Sequence, residues 1–301
     1  MRLCTTTGII GNKKGYKAAV RLIAEAGFDA YDLNMCKAHV ETNELTTPEY
    51  KTYLVELKAL QEKLGIECTQ AHAPFPIYLN GNEEYNKRTL EVIIRSMECA
   101  SFLGAEIMVI HPIKNSSSSM VGGVSYVPFE SREQLWQANL EFFRGLIPYC
   151  ERYNIKLAVE NMWGRHYLHH DTLVPATLGY CEEHAKFVDE INSPYIVACL
   201  DTGHSLICGE KPQDAVRCLG KRLKALHIHD CNGHEDQHLL PYTMKGDWDE
   251  ILTALADTEY SGDFTFEASF FYKYPEELYP DALKLMCKMG RYMIREIEEK
   301  R

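Results

Sequence analysis

The sequence predicts a single (β/α)8 barrel, on three observations. Short apolar runs rich in β-branched residues alternate with longer segments of helical period from one end of the 301 residues to the other. Eight such runs can be counted, and no linker or composition break divides the chain. Polar, metal-compatible residues recur at the same end of successive runs, as expected where parallel strands open onto one mouth.

The expected strands, in order, are Arg2–Thr6, Ala30–Asn34, Glu67–His72, Ile107–His111, Lys156–Glu160, Ile196–Asp201, Leu223–His229 and Asp263–Glu267. Among the intervening helices, Leu54, Leu57, Leu60 and Leu64 mark one apolar face. Leu90, Ile93, Ile94, Met97 and Leu103 mark a second, and Trp248, Ile251, Leu252 and Leu255 a third. Thr47 before Pro48 signals one helix start, and Ser131 with Gln134 has the spacing of a capping box. Met286, Met289 and Met293 keep helical spacing and read as packing. One domain over residues 1–301 is expected, with 114–130 after the fourth strand as its exceptional loop. Its biased stretch, Asn115–Ser125, contains four consecutive serines and reads either as a lid over the mouth or as a disordered insertion.

Composition narrows the function. The chain is 46% hydrophobic and 25% charged, ordinary for a globular enzyme. There is no apolar run of membrane-spanning length and no secretory-type N-terminus, so a cytoplasmic location and no membrane partner are expected. The 11 cysteines lie singly, without a CxxC pair, and read as reduced core residues. A formal net charge of -11 argues against a nucleic-acid partner.

On this scaffold His72 ends strand three, His111 strand four, Glu160 strand five, Asp201 with His204 strand six, His227 and His229 strand seven, and Glu267 strand eight. A lone strand-end histidine is more often structural than a ligand, and a lone carboxylate there often caps a helix. Registered recurrence at six strand ends changes that reading. Imidazoles and carboxylates gathered at one mouth would be costly to desolvate unpaired, and a divalent cation removes that cost. His227 and His229 are two apart and share a strand face, so one could be ligand and the other substrate contact. Asp236 and His238 could supply further metal ligands or solvate a polar loop. His166, His169, His170, His184 and His234 lack matching partners and read as surface residues. Lys114 and Arg165 could hold an anion or be ordinary solvated charges, while Phe75, Tyr78 and Trp163 could stack on a sugar or pack loops.

The motifs HAPF at 72–75, IHP at 110–112, VEN at 159–161, LDTGH at 200–204, HIHDCNG at 227–233, DQH at 236–238 and FEAS at 266–269 together resemble the sugar phosphate isomerase/epimerase proteins of the xylose-isomerase-like barrel superfamily. The resemblance implies a Mn, Mg, Co or Zn ion held by Glu160, Asp201, His227 and Glu267, His227 being favoured by its spacing to Asp230. It further implies a small sugar or sugar phosphate as substrate, with Glu160 and Glu267 exchanging a proton through an enediolate, and His229, Asn161 and Trp163 contacting the substrate. A homo-oligomer would be ordinary for the family. The same superfamily contains the endonuclease IV type of AP endonuclease, whose nine ligands to three zinc ions are matched in order by His72, His111, Glu160, Asp201, His204, His227, Asp236, His238 and Glu267. Up to three zinc ions and a phosphoesterase activity are therefore the alternative. LDTGH and HIHD depart from that nuclease pattern, and the lysine characteristic of it is absent.

Overall fold

The computed structural model describes residues 1–39, 43–115, 120–121, 124–163 and 177–301. Eight parallel strands form the barrel: β1 (Leu3–Thr6), β2 (Ala30–Asn34), β3 (Glu67–His72), β4 (Ile107–Ile110), β5 (Lys156–Glu160), β6 (Ile196–Asp201), β7 (Leu223–His227) and β8 (Phe264–Phe266). Each pairs with the next in parallel register, and β8 pairs with β1. Between β7 and β8 the ladder shrinks to a single bridge, Ile228 to Phe266, so the barrel is nearly closed.

Strand periodicity explains how apolar runs deliver polar groups. Along β5, Leu157 and Val159 face the helices and join the main core, whereas Ala158 faces inward. The interior is packed by a small cluster of Val109, Ala158, Val197, Cys199 and Ala225. Two residues further along the same inward parity stand His111, Glu160, Cys199 followed by Asp201, and His227 with His229. The apolar layer is thus the floor beneath the polar mouth.

The helices are α1 (Gly8–Lys14), α2 (Tyr16–Ala26), α3 (Tyr50–Leu64), α4 (Glu83–Leu103), α5 (Arg132–Tyr153), α6 (Cys181–Ile191), α7 (Thr202–Ile207), α8 (Pro212–Leu219), α9 (Trp248–Asp257) and α10 (Tyr279–Glu299). The expected faces are buried: Leu54 and Leu57 on α3, Ile93, Met97 and Leu103 on α4, Trp248, Ile251, Leu252 and Leu255 on α9, and Met286 and Met293 on α10. Ser131 caps α5, its hydroxyl accepting from the Gln134 N–H at 3.1 Å, while the Gln134 side chain accepts from the Glu130 N–H. Thr47 caps nothing. Its hydroxyl donates to the Glu44 carbonyl within a turn, and α3 begins at Tyr50.

All eleven cysteines are free. Among the described residues no helix is long and apolar enough to cross a membrane. Within the exceptional loop after β4, residues 120–121 and 124–125 form a short antiparallel pair. Residues 116–119 and 122–123, Arg165 and His166, His169 and His170 lie outside the described residues. His184 is corrected: it is not a surface residue but a wholly buried one on the inner face of α6, where desolvation lowers its imidazole to about 4.

Candidate metal centre

Glu160 ends β5 with its side chain almost entirely enclosed. One oxygen, Oε1, stands 2.8 Å from His227 Nδ1, and the other, Oε2, stands 2.9 Å from His111 Nε2 and 3.4 Å from His72 Nε2. Burial alone would raise this carboxyl, but the facing His227 and His111 hold it well below the usual carboxylate range. His227 Nδ1 also lies 3.3 Å from Glu267 Oε2. Donor atoms of Glu160, Asp201, His227 and Glu267 all fall within 4.8 Å of one another.

Asp201 ends β6 and has two tasks. Its Oδ1 accepts from the His204 N–H at 2.6 Å, capping α7, while Oδ2 meets His229 Nε2 at 2.9 Å. The cap places the His204 ring over the mouth, where Nδ1 meets the Asn161 carbonyl at 2.8 Å and Nε2 lies 3.5 Å from Asp236 Oδ2. Asp236 in turn stands 3.2 Å from His238 Nε2, and His238 Nδ1 meets the Glu267 carbonyl at 2.7 Å.

The nine residues singled out in the sequence therefore form one continuous cluster. On one side His72, His111 and Glu160 converge, with the two Nε2 atoms 3.2 Å apart; on the other, His229, Asp236 and His238 converge, with the imidazoles stacked at 4.2 Å. His227 and His229 do not compete for one place, since each faces a different group of carboxylates.

The donor set suits a divalent cation on grounds internal to this structure. Among the described residues, the cluster's carboxylate oxygens Glu160 Oε2 and Asp236 Oδ1 are buried without a hydrogen-bond partner. The Nε2 atoms of His72 and His111, 3.2 Å apart and both facing Glu160 Oε2, satisfy one another poorly without a charge between them. Ionised carboxylates and imidazoles are the ordinary ligands of zinc, manganese or cobalt, whereas magnesium prefers oxygen.

The residues expected to touch substrate are placed unequally. Asn161 is buried, its amide donating to the Asp201 carbonyl at 3.0 Å and to Ser205 Oγ, its side-chain oxygen accepting from the Asp201 N–H at 2.7 Å. It ties the end of β5 to the start of α7. Lys114 Nζ lies 4.2 Å from the centre of the Trp163 ring, and Phe75 meets the His111 ring edge-on at 4.5 Å. Phe75, Tyr78, Pro112 and Lys114 help line a cavity of about 250 Å³ beside the mouth.

Sequence reasoning misplaced one buried acid and missed another. Asp230, whose spacing to His227 drew attention, takes no place in the cluster. Its carboxylate accepts from the N–H groups of Cys231, Met244 and Gly246 and from the Trp248 indole, pinning the loop that carries Asp236 and His238. Asp32, on β2, lies in the barrel interior with Oδ2 3.5 Å from His227 Nε2. Its signal was an acid at an inward position of the otherwise apolar run AYDL.

With this geometry in view, residues 20–289 match the family model described as xylose isomerase-like TIM barrel. The chain belongs to that family. Within it, the D-psicose 3-epimerase of Ruminiclostridium cellulolyticum is 24% identical over 84% of this chain and 78% of the relative. The D-psicose 3-epimerase of Enterocloster bolteae is 39% identical over a shorter stretch, 30% of this chain and 28% of the relative. Among solved structures, a D-tagatose 3-epimerase-like protein shares the fold with a TM-score of 0.73 at 22% identity, covering 98% of this chain and 99% of that one.

Proposed function

We propose that the protein is a divalent-metal-dependent epimerase or isomerase of a small ketose or its phosphate, built as one barrel domain over residues 1–301. The observation that carries this reading is the convergence of Glu160, Asp201, His227 and Glu267 within 4.8 Å at the barrel mouth. A bound ion held by these four would supply Lewis-acid stabilisation of negative charge developing on adjacent substrate oxygens. The two glutamates approach His227 from different strands, β5 and the end of β8, so a sugar carbon placed between them can lose its proton to one carboxylate and regain it from the other. Burial on the apolar floor excludes water from Glu160, and the neighbouring imidazoles keep it ionised and able to act as a base. The family relatives that carry sugar 3-epimerase names support a ketose as substrate.

A second reading is favoured by the outer residues. His72 and His111 with Glu160, which the central group shares, and His229 with Asp236 and His238, each form a group able to hold an ion. A site of two or three zinc ions would suit phosphoester cleavage.

The test is metal stoichiometry by elemental analysis of protein purified without added metal or chelator, followed by incubation with a ketose panel in deuterated water. Bound divalent metal with deuterium entering a carbon-bound position supports the epimerase. Metal-loaded protein that incorporates no deuterium from any ketose but cleaves phosphodiesters would move the assignment to the second reading.

A further inference from the structure

Beneath the candidate metal ligands lies a buried polar chain that the proposed reaction does not use. Asp32 points from β2 into the barrel, is 1% exposed, and has no lysine or arginine paired with it among the described residues. An ionised carboxylate in such a place is costly unless its partners are fixed. Its Oδ2 accepts a hydrogen bond from Gln70 Nε2 on β3 at 2.7 Å, and the Gln70 side-chain oxygen accepts from Thr265 Oγ1 on β8 at 3.4 Å. The amide thus donates to the carboxylate and leaves Asp32 an acceptor. The N–H-bearing group that faces it is His227, whose Nε2 approaches Oδ2 to 3.5 Å, short of a formed hydrogen bond, and has no other acceptor among the described residues, just as Asp32 Oδ1 has no donor. The opposite ring nitrogen, Nδ1, faces Glu160 and Glu267.

A histidine ligates through the nitrogen that carries no proton, so whichever group accepts from the other nitrogen decides which one that is. We infer that Asp32 is a positioning residue: it holds the His227 proton on Nε2 and turns the Nδ1 lone pair towards Glu160 and Glu267, with Gln70 orienting Asp32 from below. The His72 ring, stacked on that of His227 with centroids 5.5 Å apart and planes within 10°, limits rotation of the imidazole, so the tautomer and the ring orientation are set by different neighbours. This rests on the metal reading above. Asp32 touches neither the reacting carbon nor the ion, and acts through His227.

The experiment measures zinc affinity of the full chain by competition with a fluorescent chelator, for wild type, Asp32→Asn, Asp32→Ala and Gln70→Leu, with circular dichroism as the check on folding. Loss of an outer partner of a ligating histidine weakens metal binding by roughly 10- to 100-fold. Asp32→Ala is expected to show that loss with the fold retained, and Gln70→Leu a smaller one. Independently, nitrogen-15 imidazole correlation spectra of the zinc-loaded wild type should place the His227 proton on Nε2. Zinc affinity of a folded Asp32→Ala equal to that of wild type overturns the inference and leaves the metal reading standing. Should the Asp32 variants not fold, the wild-type spectrum decides: a proton on Nδ1 overturns the positioning role. Wild-type protein that takes up no zinc overturns the metal reading itself, and the role of Asp32 with it.

Discussion

Replacing Gly203 by alanine should break the half of the cluster built on His229. Gly203 lies in α7 directly under that ring: a Cβ there would sit 1.9 Å from His229 Cε1, 2.5 Å from Nδ1 and 2.7 Å from Nε2, where ordinary contacts begin at 3.4 Å. The ring must retreat by about 1.5 Å, which is a large displacement in a close-packed interior. Its Nε2 is held 2.9 Å from Asp201 Oδ2, and its far face is stacked on His238, so the retreat breaks a charge-assisted hydrogen bond and pushes on Asp236 and His238. Overpacking costs about 1–3 kcal/mol, and loss of a buried hydrogen bond to a charged group about 1.5–3 kcal/mol. Alanine's better helix propensity returns about 1 kcal/mol, leaving a net loss of about 1.5–5 kcal/mol. Urea unfolding followed by circular dichroism measures it, in wild-type and His229→Ala backgrounds. Because the second background opens the space, Gly203→Ala should cost little there, and the two substitutions should couple by about 2 kcal/mol or more. A cost below about 0.5 kcal/mol in the wild-type background, or equal costs in both, would refute the steric reasoning.

Three further outcomes are expected. Glu160→Gln and Glu267→Gln should each lower the rate of deuterium exchange into substrate by about 100-fold or more while the chain stays folded; near-normal exchange in both would end their acid/base assignment. Asp230→Ala strands four donors from the 231–248 segment, including the Trp248 indole, and should cost about 3 kcal/mol or more by chemical denaturation; a change under about 1 kcal/mol would show that the loop is held elsewhere. In chelator-stripped protein, desolvation of His204 and His238 is outweighed by Asp201, Asp236 and Glu267, which raise the two imidazoles to about 9 and about 10. Groups raised above their ordinary 6.5 contribute stability that is complete below that value and lost progressively until pH has climbed through 9 to 10, so the stripped protein's melting temperature should fall between about pH 6.5 and 10. Metal-loaded protein should lack this fall, since ligating imidazoles are neutral and so are those of the unfolded chain over that window. Parallel melting curves with and without metal would contradict this.

The alternation of β-branched runs with helical segments made the barrel legible, and strand parity made most of the cluster legible with it. Side chains two apart on a strand share a face, so Ala158 and Glu160, or Cys199 and Asp201, could be assigned to the same inward side from spacing alone. Helix starts were less certain. Thr47 and Pro48 look like a cap in sequence, but the hydroxyl turns back to the Glu44 carbonyl and α3 starts at Tyr50. His184 looked like a surface histidine because nothing near it in sequence suggested a partner, yet α6 turns it against the barrel.

What the sequence by itself determined is the fold class, the order of the strands and the types of residue brought to the mouth, because backbone periodicity is a local property; the ends expected at His111, His229 and Glu267 fall instead at Ile110, His227 and Phe266. What only the tertiary structure decided is which groups meet. His227 and His229 are equivalent by spacing, yet Nδ1 of one faces Glu160 and Glu267 while Nε2 of the other faces Asp201 and Asp236. Asp230 turns to bind backbone N–H groups, and Asp32, almost two hundred positions away in sequence, turns inward beneath His227. Such pairings depend on barrel curvature and on contacts between strands that no local pattern encodes.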